Sequence, residues 1–405
     1  MECGCARVEI TPPSEACLFG YPDGERRYKP HLDKVLDPLH ARAVYLHSGS
    51  SPGILLITLD LCLLFTEDAI AFRTELSGKL RLPVENILLC CTHTHSAPLA
   101  RMSLNGNSSS PGKAFHRYPH SPQGEVDYGR WILARLERIA ALAISRRAPV
   151  TGFFRQSFSG HGYNRRCRTP DGVRNCWNIE SFRERVPKVM RDLPHSVLKL
   201  AYQGREGGVV LDNLGIHPVV MGKESTGLSA DWPSYARRYT EKRLKNYQAV
   251  FTQGAGAQVQ PWISTQEDPR ALHVVGEAIG AETVLLSWTA DPVYLPDNSL
   301  RINEHTLPSR QVRISTLELG SILLVGLPFE LSATMASRLR RLLRRPVLFF
   351  CLCNGWDGYW MAPEEFAEGG YETEIAHRRG VGPENSLSLL ELLKPFQMER
   401  SLSPL

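Results

Sequence analysis

The sequence predicts an α/β fold, a mixed β-sheet core with flanking helices. Three observations carry this. Gly53–Leu64 and Asn86–Cys91 are apolar strand-type runs separated by a helix-type stretch over about 67–82, which is a βαβ spacing. Gln311–Leu319 and Ile322–Leu327 read as two strands of a hairpin over Gly320-Ser321, so antiparallel pairing joins the parallel kind. Glu125–Arg147 places Ile132, Leu136, Ile139, Leu142 and Ala143 on one face, the period of an amphipathic helix.

In chain order, Val8–Pro13 reads as a short strand stopped by two prolines, and Gly20–Gly24 as a turn. Arg42–His47 and Gly53–Leu64 are strand-like, with Thr66 as N-cap of the helix that Pro83 closes. Arg101–Gly124 is rich in Ser, Asn, Gly and Pro, and its length fits either a functional lid or a disordered loop. Gly160–Trp177 reads as a loop whose arginines either fork onto an anionic group or stay solvated. Val209–Ile216 is an apolar strand, Pro233–Tyr247 a helix, Ala249–Thr252 a strand and Arg270–Leu286 a helix. In Arg338–Arg345, Leu339, Leu342 and Leu343 make a core face and the arginines a wet one. Pro346–Cys353 is a buried strand, and a helix over about 384–393 ends the pattern. With no internal repeat and no clear linker, residues 1–405 read as a single domain.

Composition narrows the function classes. The chain is 42% hydrophobic and 22% charged with a net charge of +5, ordinary for a soluble protein. That charge favours an anionic small molecule over a cationic one and is too small to argue for nucleic acid. No apolar run has the length of a membrane span, and no basic-then-apolar leader opens the chain, so a cytoplasmic location is expected. The ten cysteines show no C-x-x-C spacing and read as small hydrophobes in a reducing compartment. Oligomeric state is left open.

The chemistry sits at strand ends. Ile87–Cys91 runs into Thr92-His93-Thr94-His95-Ser96-Ala97-Pro98, and in an extended segment His93 and His95 would share a side. Gly215-Ile216-His217-Pro218 repeats a histidine after a strand and before a proline. Pro328-Phe329-Glu330 and Asn354–Tyr359 likewise follow apolar strands. Two imidazoles and a carboxylate are a donor set for catalytic zinc that leaves room for water.

In these motifs the chain resembles the neutral (non-lysosomal) ceramidases. The matching segments are Ile10–Pro13, Thr92–Pro98, Ile216–Pro218, Gln253–Pro261, Pro328–Glu330, Asn354–Tyr359 and Glu368–Glu372, in the family's order over about residues 6 to 395. The resemblance implies a ceramidase-like zinc hydrolase catalytic domain with zinc on His93, His217, Glu330 and Tyr359. It implies catalytic or substrate-facing roles for His95, Arg165 and Tyr371. The expected substrate is a small or lipid-like N-acyl amide; ester or lactone hydrolysis, acyl transfer or cyclisation, and a non-catalytic binding role are the alternatives. Two departures stand out. Gln258 and Gln260 occupy the positions of the family's acid and serine, which argues against a serine-dependent mechanism. The sequence also stops near the end of the catalytic domain, without the family's C-terminal immunoglobulin-like domain.

Overall fold

The structure, a computed structural model, describes residues 1–21, 26–103, 122–180, 190, 192–296 and 300–398. Most of the Arg101–Gly124 segment and part of the Gly20–Gly24 turn lie outside these residues.

The first sheet contains β1 (Glu2–Glu9), β2 (His40–His47), β3 (Ile54–Leu59), β4 (Ile87–Cys91), β5 (Ala148–Phe158), β6 (Pro194–Tyr202), β7 (Gly208–Leu214) and β8 (Tyr247–Gln253). Their order is β8-β7-β6-β5-β1-β2-β3-β4, and Asp291–Val293 adds a short strand against β5. The second sheet is β9 (Leu300–Leu307), β10 (Val312–Leu319), β11 (Ile322–Leu327) and β12 (Val347–Cys351), in that order. Both sheets mix parallel and antiparallel pairs, as expected. The described helices are α1 (Thr66–Leu80), α2 (Pro122–Ser145), α3 (Trp232–Arg243), α4 (Arg270–Trp288), α5 (Ala333–Leu343), α6 (Pro363–Glu368), α7 (Tyr371–Arg378) and α8 (Pro383–Leu393). No helix among the described residues is long and apolar enough to cross a membrane.

Alternation along the strands builds the layers. In β3, Leu55, Ile57 and Leu59 face α1 and α2, meeting Phe72, Leu76, Ile132 and Leu136. The other face, Ile54 and Leu56, packs on Leu317, Leu324 and Phe350 of the second sheet. In β11, Leu323, Val325 and Leu327 turn outward onto Met335 and Leu339 of α5 and Leu389 of α8. The result is helix, sheet, sheet, helix, with a dry core between the two sheets. Helices α3 and α4 cover the β7–β8 edge, where a Cβ on Gly276 would lie 2.3 Å from that of Tyr235; that glycine is what lets the two helices touch.

Three βαβ units position the site. β3–α1–β4, β7–α3–β8 and β11–α5–β12 each join parallel strands. Ligands of open α/β sheets collect past the carboxyl ends of such strands, and the chain places His93 after β4, His217 after β7, and Glu330 and Tyr359 after β11 and β12.

Several local expectations change. The first strand runs Glu2–Glu9, ahead of the prolines, and β3 ends at Leu59 because Asp60 turns away to pair with Arg237. Thr66 is the first helical residue of α1, and its N-cap Phe65 makes no side-chain bond. The arginine segment 160–177 is largely short strands, Gly162–Asn164, Arg166–Thr169 and Gly172–Asn175. Arg165 and Arg166 are buried there because both reach the carboxylate of Glu372. All ten cysteines are buried and free, as read.

Candidate metal centre and its cavity

β4 stops at Cys91, and His93 adopts φ 74°, so the alternation of an extended strand does not set its direction. Its ring is instead fixed by Nδ1, which donates to the Cys62 carbonyl at 2.9 Å, with the Cys62 Sγ 3.6 Å away. His217 is fixed in the same way, Nδ1 donating to the Val259 carbonyl at 3.1 Å. A carbonyl on Nδ1 selects the tautomer whose Nε2 carries a free lone pair. Both Nε2 atoms point at one oxygen, Glu330 Oε2, each at 3.2 Å. The other carboxylate oxygen, Oε1, accepts the indole N–H of Trp356 at 3.1 Å.

None of the three converging atoms has a hydrogen-bond partner, and all are buried. Leaving such groups unsatisfied costs about 1–3 kcal/mol each. Two imidazole nitrogens and a carboxylate oxygen within 4.8 Å of one another are the donor set of a divalent cation, so these residues fit the metal that the sequence implies. The electrostatics agree. Burial opposes charge on His93, yet the Glu330 carboxylate raises its pKa well above the imidazole range. Burial and the Arg165 charge lower His217 to about 4. Burial would raise Glu330, but His93 and His217 hold it well below the usual carboxylate range. The raised His93 and depressed Glu330 leave a proton shared between them, which a bound cation would displace, since metal ligands must be deprotonated.

Tyr359 lies beside the group by register. Glu330–Leu331 pairs in parallel with Tyr359–Trp360, which sets Glu330 opposite Tyr359, and directly opposed residues send their side chains to one face. Tyr359 lines a cavity of about 580 Å³ together with His95, Arg165, Tyr371, Trp177 and Gln260. All three residues assigned catalytic roles from the sequence thus share one chamber, with His93, His217 and Glu330 behind it.

His95 lies with its ring 4.8 Å from that of His93 and 6.1 Å from that of His217. Burial, reinforced by the neighbouring imidazoles, lowers its pKa well below normal, so it is neutral, and neither ring nitrogen has a hydrogen-bond partner. Arg165 donates Nε to Glu372 at 2.8 Å, Nη2 to the Ala257 carbonyl at 2.8 Å and Nη1 to Gln260 at 3.3 Å. It stacks over Trp177 at 4.7 Å. Burial pushes the Tyr371 phenol up to about 12 against the opposing Arg165 charge, so it stays protonated at neutral pH.

The two glutamines separate in role. Gln258 is structural: its Oε1 accepts the Ala333 N–H that opens α5, and its Nε2 donates to Glu365 at 3.0 Å. Gln260 faces the cavity, with Oε1 on Arg165 and Nε2 donating to the Trp177 carbonyl at 2.9 Å. Sequence reasoning missed Trp356, although it lies inside the Asn354–Tyr359 motif, and Glu372, adjacent to Tyr371. A tryptophan in a glycine-flanked strand end, and an acid directly after Tyr371, were the available signals.

Neither a scan against protein-family models nor a search of curated proteins returns a match. Solved structures do match. The neutral ceramidase from Pseudomonas aeruginosa aligns with a TM-score of 0.76 at 16% identity, covering 98% of this chain and 75% of that one. A ceramidase complexed with C2 aligns with a TM-score of 0.73 at 15% identity, covering 97% and 74%. With most positions changed and the architecture retained along nearly its whole described length, the chain has the neutral ceramidase fold.

Proposed function

We propose that the chain is a zinc-dependent hydrolase that cleaves an amide bond in a small or lipid-like N-acyl substrate. The observation that carries this is the meeting of His93 Nε2, His217 Nε2 and Glu330 Oε2, each without a hydrogen bond, behind a cavity of about 580 Å³. In this reading His93, His217, Glu330 and Tyr359 hold the metal. When bound, zinc supplies Lewis-acid activation of a water and of the scissile carbonyl.

The remaining groups have roles that follow from their states. Trp356 and the carbonyls of Cys62 and Val259 hold the donors in orientation. Tyr371, protonated and lining the cavity, donates a hydrogen bond to the oxygen that gains charge. Arg165, clamped by Glu372, keeps a fixed positive charge on the same wall. His95, neutral with both nitrogens unpaired, takes a proton and passes it to the leaving amine. Gln260 offers no nucleophilic oxygen and has both amide atoms engaged, so a side chain at this position supplies no acyl-enzyme, and in this reading water attacks. The ceramidase fold of the neighbours supports an acyl-amide substrate.

The test is elemental analysis of the purified protein and of His217→Ala, followed by assay of matched amides and esters of one acyl series. About one zinc per chain, lost in the variant, with amide turnover is the expected result. Full zinc and activity in His217→Ala would overturn the site. Turnover of esters or lactones alone would overturn the amide assignment.

A further inference from the structure

The segment Ser229–Trp232 holds both histidine loops. The Thr94 hydroxyl donates to the Ser229 carbonyl at 2.6 Å, and the Ser229 N–H donates to the Ser96 carbonyl at 3.0 Å. Two residues later, Asp231 accepts the Val220 N–H on Oδ1 at 3.1 Å and the Met221 N–H on Oδ2 at 3.0 Å. The Trp232 indole N–H then donates to the His217 carbonyl at 3.2 Å. The segment is itself anchored: Asp37 accepts from the Ser229 hydroxyl and from the Ala230 N–H. Every one of these groups is buried.

Asp231 holds this position at a conformational cost. Its φ of 59° and ψ of −160° lie in a region that side chains other than glycine avoid. Capping α3 does not require it. An Asp N-cap ordinarily sits in the extended region, where its oxygen reaches the first helical N–H groups equally well. Here the carboxylate bonds Trp232 N–H at 2.8 Å and also faces backward onto the strap after His217. The strained backbone is what turns one carboxylate toward both.

We infer that Asp231, backed by Trp232, is a positioning residue for His217. It fixes the His217–Met221 strap so that Nε2 stands 3.2 Å from Glu330 Oε2 before any cation arrives. This rests on the metal reading above and extends it to residues that touch neither metal nor cavity. Loss of such an outer contact weakens a metal site by about 10- to 100-fold.

Zinc dissociation constants, measured by competition with a chromophoric chelator on metal-stripped protein, test this alongside melting curves of the stripped protein. Asp231→Gly relieves the backbone strain and deletes the carboxylate. Its expected signature is a dissociation constant raised about 10- to 100-fold, with a lowered melting temperature because the Val220, Met221 and Trp232 N–H groups lose their acceptor and strain relief offsets only part of that. Asp231→Asn, which keeps one acceptor oxygen, falls between the two. Wild-type affinity in Asp231→Gly overturns the inference whatever the melting curve shows. Should that variant fail to fold, Trp232→Phe removes the donor to the His217 carbonyl while leaving an aromatic ring in its place; wild-type affinity there overturns the inference equally. Zinc-free wild type after reconstitution overturns the metal reading itself, a separate outcome.

Discussion

Glu372 offers a calculation with a sharp outcome. Its carboxylate, 0% exposed, accepts from Arg165 Nε at 2.8 Å, Arg166 Nη1 at 3.0 Å and Asn175 Nδ2 at 2.7 Å. The two guanidiniums carry +2 and Glu372 carries −1, a buried net of +1. Glu372→Gln leaves +2. Removing one partner of a buried ion pair costs about 3–5 kcal/mol, since the remaining charge stays desolvated. At about 1.2 °C per kcal/mol in a chain of 405 residues, the apparent melting temperature should fall by about 4–6 °C. The double variant Arg166→Gln/Glu372→Gln returns the net to +1. It should lose less than the sum of the singles, with a coupling energy of at least about 1 kcal/mol.

The pH dependence adds an independent check. Burial alone would raise the Glu372 carboxyl, but Arg165 and Arg166 override it and hold its pKa below the ordinary 4.5. A depressed carboxyl contributes stability that is complete above about 4.5 and disappears as pH falls through the folded value. The melting gap between wild type and Glu372→Gln should therefore be widest at neutral pH and shrink in acid. A melting temperature of Glu372→Gln equal to wild type at pH 7, or strict additivity in the cycle, would refute the reasoning.

Other consequences can be measured in parallel. Trp356→Phe removes the donor to Glu330 Oε1 and should raise the zinc dissociation constant about tenfold while the fold survives, read by chelator competition. Gly20 has φ +122°, and a Cβ there would stand 2.5 Å from His95 Cγ, so Gly20→Ala should cut kcat by displacing His95 while leaving bound zinc unchanged. His195 lies between Asp212 Oδ1 at 2.7 Å and Glu282 at 3.1 Å; burial opposes its charge, but the carboxylates raise its pKa to about 9. Its contribution to stability is full below about 6.5 and is lost as pH rises through about 9, so Asp212→Asn should flatten the alkaline limb of a melting-temperature profile.

What the sequence revealed depended on how local the signal was. The β3–α1–β4 unit was readable because its strands are apolar runs divided by a helical stretch. The candidate metal set was readable because each member follows such a run. β5 and β6 were missed; β5, Ala148–Phe158, alternates weakly and stays half-exposed along much of its length. β9, Leu300–Leu307, is polar at most positions for the same reason. The stacking of the two sheets was not legible, since β11 and β12 are apolar on both faces and the pattern does not say what covers each. Arg165 and Arg166 read equally well as solvated because their partner, Glu372, is distant in the chain. The orientation of the donors was hidden altogether, since it depends on backbone carbonyls at Cys62 and Val259.

The four candidate donors are divided along the chain: His93 and His217 follow strands of the first sheet, while Glu330 and Tyr359 follow strands of the second and pair with each other. During synthesis the two histidines emerge well before Glu330, and domains mature from the N-terminus as the chain grows. A nascent or truncated chain carrying only the first sheet therefore has half a chelate. If the proposed site binds zinc, full-strength capture would wait for the C-terminal sheet to dock. In the proposed metal reading, a bound cation would tie the late half to the early half and stabilise the finished chain by mass action, and truncated chains would retain zinc poorly.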